Sequence, residues 1–330
     1  MKMVNVITDE RVRMDALKGK TIAVIGYGSQ GRAQALCMKE SGLKVIAGLR
    51  EGGDSWKLAR QDGVQVMSIA DAAAKGDIIH ILIPDECQKD VYDQHIKQHV
   101  KPGKTLSFSH GFNIVFGQIV PPEGIDVIMI APKSPGTEER KRYLEGFGVP
   151  ALIAVKSNAS GKAREVALAM AKAMRFTRAG VLECTFEQET YEDLFGEQAV
   201  LCGGLVELIK AGFETLVEAG YPPEMAYFEC VHEMKLIIDL VYEGGIKHMA
   251  DVVSNTAEYG MWSEGHKIIT GEVKKKMKET LKRVESGEFA AEWIKEYENG
   301  MPRLKEARER ISKHEIETVG TNIRKMFKRK

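Results

Sequence analysis

Residues 21–35 read TIAVIGYGSQGRAQA, and the rest of the chain is arranged around them. Thr21–Ile25 is a run of β-branched and apolar side chains, the composition of a buried strand. It feeds directly into Gly26, Tyr27, Gly28, Ser29, Gln30 and Gly31, and residues 32–40 then read as a helix. A GxGxxG spacing between a strand and a helix predicts a dinucleotide-binding turn. Gly26 permits the tight turn, Gly28 lets a pyrophosphate approach the backbone, and Gly31 allows close helix–strand packing. The helix N-terminus adds unpaired N–H groups and a partial positive charge for the phosphates. Without a ligand, the same glycines would be only a tight turn of an α/β fold.

Downstream, short apolar strands alternate with helical runs. Strands are predicted over 44–49, 77–83, 105–108, 126–130 and 151–155, with helices over 68–75, 88–99 and 161–174. This alternation predicts an α/β Rossmann-type domain over residues 1–183, a doubly wound, mostly parallel sheet with helices on both faces. Ligands of such sheets lie beyond the carboxyl ends of the strands. That rule singles out Arg50, Pro84-Asp85-Glu86, Ser109-His110-Gly111 and Ala131-Pro132-Lys133.

At the end of the second strand, an acidic residue would accept from an adenosine ribose and a basic one would receive a 2′-phosphate. The loop there is Arg50-Glu51-Gly52-Gly53-Asp54-Ser55-Trp56. Arg50 and Ser55 favour NADP(H) as the preferred cofactor; Asp54 opposes it, so NAD(H) stays open. His110 falls beside the expected nicotinamide pocket, in either a structural or a catalytic role. Lys133 is held by the rigid turn Pro132, Ser134, Pro135 and Gly136, which suits a positioned cation.

Composition bounds the function classes. The 330 residues carry 47 Lys and Arg against 47 Asp and Glu, so no global field draws in nucleic acid or an anionic membrane. The basic runs Lys274-Lys275-Lys276 and 324–330 read as solvated helix faces. Five cysteines are scattered without a CxxC pair, and the opening MKMVNVITDERV is too polar for a secretory segment. No apolar run approaches membrane-spanning length. The expectation is a cytoplasmic enzyme with reduced thiols.

From Thr185 onward the strand signal disappears. Helical runs over 187–219, 223–242, 247–259 and 272 to the end predict a separate all-α domain over 184–330, broken at Tyr221-Pro222-Pro223 and Glu243-Gly244-Gly245. Two carboxylate pairs stand out, Asp193 with Glu197 and Glu229 with Glu233. Spacing of four puts both members of a pair on one helix face, where like charges repel. An isolated pair of this kind is an ordinary surface feature. Two pairs on apolar helices predict an oxygen-only site for two Mg²⁺ ions, and the absence of HExxH or Cys/His clusters argues against zinc.

Taken together, these segments resemble the ketol-acid reductoisomerases, also called acetohydroxyacid isomeroreductases, in their short form. The resemblance runs nearly end to end. It is carried by Gly26 to Gly31, Ile83-Pro84-Asp85-Glu86, Ser109-His110-Gly111-Phe112-Asn113-Ile114, Ala131-Pro132-Lys133 and Gly146-Phe147-Gly148-Val149-Pro150. In the helical half it is carried by Glu187-Gln188 leading to Asp193-Leu194-Phe195-Gly196-Glu197-Gln198, then by 229–235 and 254–260. It implies alkyl migration in 2-acetolactate or 2-aceto-2-hydroxybutyrate, promoted by two Mg²⁺ ions. Hydride reduction by the nicotinamide to a 2,3-dihydroxy acid follows, in branched-chain amino-acid biosynthesis. It further implies metal binding at Asp193, Glu197, Glu229 and Glu233, with Glu233 also catalytic, and substrate binding at Ser254. His110 and Lys133 would line the reaction centre, and Asp85, Glu86 and Gly136 would join the cofactor site. A knotted helical domain is implied, and so is an active site shared within a homodimer or multimer of dimers.

The sequence departs from the family pattern twice. Ser134-Pro135-Gly136-Thr137 stands where Gly-Pro-Gly-His is usual, and Gly53-Asp54 replaces a Ser-rich stretch of the cofactor loop. Two other readings compete. A sensor that binds NAD(P) without turnover predicts gaps among the carboxylates, and there are none. A metal-independent 3-hydroxy acid dehydrogenase leaves the four carboxylates without a purpose.

Overall fold

The computed structural model describes residues 5–327; Met1 to Val4 and, of the basic tail, Lys328 to Lys330 lie outside the described residues. The chain divides into two compact units, 1–192 and 193–330.

The first unit is an eight-stranded sheet of order β3-β2-β1-β4-β5-β6-β7-β8. The strands are β1 (Thr21–Ile25), β2 (Lys44–Gly48), β3 (Gln65–Met67), β4 (Ile78–Ile81), β5 (Thr105–Phe108), β6 (Asp126–Pro132), β7 (Ala151–Ser157) and β8 (Val181–Glu183). Its helices are α1 (Ser29–Glu40), α2 (Asp54–Gln61), α3 (Ile69–Lys75), α4 (Asp85–Val91), α5 (Phe112–Val115), α6 (Gly136–Leu144), α7 (Ala163–Ala173) and α8 (Phe176–Ala179). All five β1 residues are buried, as befits a central strand covered on both faces. Ile22 and Val24 point into one core with Ala35 and Met38 of α1 and Val166 of α7. Ala23 and Ile25 point into the other with Ala72 and Ala73 of α3. That is the period of two expected of a strand.

Every neighbouring pair is parallel except β6 and β7, where Pro132 lies opposite Ala151. The strand at 151 therefore runs against its neighbour, joined to it by α6 alone. The sequence reading missed β3 and β8, because runs of three residues carry too little periodicity. Trp56 packs partly buried against the first core. The chain order reverses between β1 and β4, which opens a crevice at their carboxyl ends.

The second unit begins within α9 (Phe186–Gly196) and is helical: α10 (Gly203–Glu218), α11 (Pro223–Tyr227), α12 (Glu233–Val252), α13 (Asn255–Ile268), α14 (Gly271–Glu285), α15 (Glu288–Glu298), α16 (Pro302–Ser312) and α17 (Glu315–Phe327). Its buried cluster is small: Phe213, Ala226, Tyr227, Ile316, Val319 and Ile323. Two of the predicted helical runs are interrupted by π turns, Glu197–Leu201 and Phe228–His232. The run over 247–259 breaks at Ser254, whose hydroxyl accepts the Ala257 N–H at 3.2 Å and caps α13. Gly245, at φ 83°, kinks α12 where the glycine pair signalled a break. Among the described residues, no helix is long and apolar enough to cross a membrane.

Candidate active site

The fingerprint glycines divide their work as the spacing predicts. Gly26 has φ 101°, and a methyl there would lie 2.5 Å from the Leu82 carbonyl oxygen beyond β4. A methyl on Gly31 would lie 2.5 Å from the Gly26 carbonyl oxygen, while nothing lies within 4 Å of one on Gly28, the N-cap of α1. One glycine makes the turn, one lets helix and strand touch, and one leaves the helix N-terminus open. Tyr27 is anchored by its hydroxyl, which donates to Asp62 at 3.0 Å; Arg32 donates twice to the same carboxylate at 2.8 and 3.0 Å. Gln30 donates to the Ser134 carbonyl at 2.9 Å, and a methyl on Gly136 would collide with the Ser29 carbonyl. The start of α6 is thus moulded onto the fingerprint. Gly28, Ser29 and Gly136 share one cavity of ≈ 640 Å³ with Tyr27, Arg32 and Thr137.

Behind the turn lies a buried polar chain. Gln34 Nε2 donates to Gln30 at 3.0 Å and to Ser109 Oγ at 3.1 Å, while His80 Nε2 lies 2.7 Å from Gln34 Oε1. Burial pushes the His80 imidazole down to about 4, so it is neutral at physiological pH. Arg50 is exposed just past β2, and Asp54 and Ser55 are exposed in the first turn of α2. Asp85 and Glu86 open α4, and Asn113 Nδ2 donates to the Asp85 carbonyl at 3.0 Å.

His110 and Lys133 meet on a residue that the sequence reading did not single out, Glu189 of α9. Lys133 Nζ donates to Glu189 Oε1 at 2.9 Å, and His110 Nδ1 lies 3.1 Å from Oε2. The Gly111 N–H donates to the same oxygen at 3.3 Å. A methyl on Gly111 would collide with Thr190 Oγ1, so only glycine lets α9 approach so closely. Burial raises the Glu189 pKa, but the hydrogen bond and charge of His110 together with Lys133 outweigh it and hold the carboxyl below its ordinary value. The group is an anion at neutral pH, orienting two cationic or proton-carrying side chains. One signal was available: Glu189, Asp193 and Glu197 recur every four residues along one helix face.

The predicted metal ligands lie in the second unit. Asp193 is half-buried in α9 and Glu197 opens the first π turn; Glu229 lies in the second π turn, and Glu233 follows it. Glu197, Glu229, Glu233 and Ser254 are exposed. A donor set made only of hard carboxylate oxygens fits Mg²⁺.

Comparison with known proteins supplies the family. Residues 16–180 match the family described as acetohydroxy acid isomeroreductase, NADPH-binding domain. Residues 186–329 match ketol-acid reductoisomerase, C-terminal domain. A ketol-acid reductoisomerase (NAD(+)) of the uncultured archaeon GZfos26G2 is 66% identical, covering 98% of this chain and 99% of its own. A ketol-acid reductoisomerase (NADP(+)) of Akkermansia muciniphila is 63% identical over 98% of this chain and 99% of its own. The solved structure of an NADH-preferring ketol-acid reductoisomerase from an uncultured archaeon has a TM-score of 0.96 at 66% identity, covering 98% of this chain and 100% of that one. A putative oxidoreductase from Jannaschia, 16% identical with a TM-score of 0.63 over 83% of this chain and 98% of its own, shares the fold alone. The chain belongs to the ketol-acid reductoisomerase family and is an NAD(P)-dependent oxidoreductase and isomerase.

Proposed function

We propose that this chain converts 2-acetolactate or 2-aceto-2-hydroxybutyrate to the 2,3-dihydroxy acid in a Mg²⁺-dependent reaction of branched-chain amino-acid biosynthesis. The observation that carries this reading is Glu189, ionised and buried between His110 and Lys133, one helical turn before the first carboxylate pair. Bound Mg²⁺ ions would polarise the vicinal oxygens of the ketol acid, and a reduced nicotinamide would supply hydride. The chain's own groups do the rest. Asp193, Glu197, Glu229 and Glu233 hold and neutralise the cations. Lys133, held in place by Glu189, donates a hydrogen bond to oxygen that gains negative charge during migration. His110 is fixed in orientation through Nδ1, as positioned imidazoles are. Ser254 binds the substrate carboxylate.

For the cofactor, Arg50 and Ser55 support NADP(H), and Asp54 supports keeping NAD(H) usable. A relative named for each exists at more than 60% identity. We read the chain as accepting both, with NADP(H) preferred. A shared active site in a homodimer, or a multimer of dimers, is supported by two features. Among the described residues, no cluster of three ligating groups includes Glu197, Glu229 or Glu233, which suits a carboxylate set completed by a second subunit. The second unit also exposes Leu201, Tyr242, Ile246, Tyr259 and Trp262, apolar surface of the kind subunits cover. Five free cysteines support a reducing, cytoplasmic setting.

The direct test is product analysis. With 2-acetolactate, Mg²⁺ and NADPH, mass spectrometry should find the 2,3-dihydroxy acid formed in step with oxidised cofactor. Cofactor oxidation without that product would defeat the proposal.

A further inference from the structure

The two π turns of the second unit close by the same five-residue bond, but different residues follow them. The turn Phe228–His232 ends at Glu233, whose N–H donates to the Phe228 carbonyl five residues back, and Met234 follows. In the turn Glu197–Leu201, the Cys202 N–H donates to the Glu197 carbonyl at 3.0 Å, and two glycines follow. Cys202 sits at φ −114°, ψ −63°, away from helical values. Four-residue bonding resumes with the Val206 N–H on the Cys202 carbonyl at 3.1 Å.

A methyl on Gly203 would collide with the Gln198 carbonyl oxygen, and one on Gly204 with that of Ala199. Both obstacles are backbone five residues back, so no rotamer relieves them. Gly260 and Gly265 in α13 have nothing within 4 Å of such a methyl beyond their own helical turn. At this turn, two successive positions have no room for a Cβ.

A π turn inserts one residue into the helical repeat, and one residue is about 100° of rotation. Phe213, 1% exposed in the unit's core, anchors α10. Collapse of the turn to α pitch would change the rotation of Glu197 relative to Phe213 by about 100° around the axis. We propose that Gly203 and Gly204 are positioning residues, holding open the π turn that aims Glu197 at its cation. This rests on the Mg²⁺ reading above.

The test is Mn²⁺ binding, by electron paramagnetic resonance titration of the full-length protein, beside NADPH binding by fluorescence. Gly203→Ala and Gly204→Ala should each raise the Mn²⁺ Kd by roughly 10–100-fold, the scale of lost support around a ligand. NADPH affinity and far-ultraviolet helicity should stay at wild-type values, and Gly265→Ala should change neither affinity. Wild-type Mn²⁺ affinity in a folded Gly203→Ala or Gly204→Ala protein would overturn the inference. Failure of both alanine variants to fold would overturn it too, because the glycines would then serve folding and not aim. Glu197→Gln separates the two layers. If it binds Mn²⁺ like the wild type, the metal reading itself falls. If it weakens binding while the glycine variants do not, only the positioning role falls.

Discussion

Lys133 Nζ lies 2.9 Å from Glu189 Oε1, and His110 Nδ1 lies 3.1 Å from the other oxygen of that carboxylate. Glu189 is 1% exposed, so its charge is answered by these partners and not by water. Glu189→Gln keeps the shape and removes the charge that fixes both neighbours. We expect kcat to fall by roughly 10²–10³-fold, the scale of losing a positioned proton-transfer or oxyanion partner. NADPH affinity should be retained. Steady-state kinetics with fluorescence binding checks this, and an unchanged kcat would remove Glu189 from the reaction centre.

Asp54 is fully exposed in the first turn of α2, with Lys57 3.8 Å away. Facing a 2′-phosphate, its charge costs roughly 1 kcal/mol at about 4 Å in water, about fivefold in affinity. Asp54→Ser should therefore raise the NADPH to NADH ratio of kcat/KM by about that factor. A ratio that does not move means that Asp54 points away from the ribose.

His80 has an acid-side consequence. Its folded pKa of about 4 lies below the ordinary 6.5, so the fold favours the neutral ring. The stability this contributes is full above about pH 6.5 and is lost as pH falls towards 4, by about 1.4 kcal/mol per unit. His80→Gln can still hydrogen-bond Gln34 and has nothing to titrate. Urea unfolding at pH 7 and pH 5 should show a larger loss for the wild type than for His80→Gln; equal losses would show that His80 does not drive the acid response.

A shared site predicts complementation. Glu197→Gln and Glu229→Gln proteins should each be inactive as homodimers. If the two pairs come from different subunits, each mixed dimer has one intact site. Random co-assembly should then recover about a quarter of wild-type activity. No recovery in mixed dimers confirmed by mass would place both pairs in one chain.

How much of this was legible varies with the range of the interaction that decides it. The fingerprint turn is local: Gly26, Gly28 and Gly31 are dictated by backbone within a few residues or on the adjacent strand, and the spacing reveals them. The strand ends bearing His110 and Lys133 follow from periodicity. Glu189 does not, because its role comes from contacts 79 and 56 residues away. Only its place in a carboxylate stripe hinted at it. The antiparallel β7 was hidden because direction is set by a partner, not by composition. The π turns were hidden because one inserted residue leaves the helical pattern nearly intact, although the glycine pair at 203 and 204 marks one of them.

The most direct measurement is oxidation of NADPH and of NADH at 340 nm with 2-acetolactate, in Mg²⁺ and in EDTA. The account predicts turnover with Mg²⁺, none with EDTA, and recovery when Mg²⁺ is restored. Oxidation that continues undiminished in EDTA would contradict it and would leave Asp193, Glu197, Glu229 and Glu233 without their assigned role.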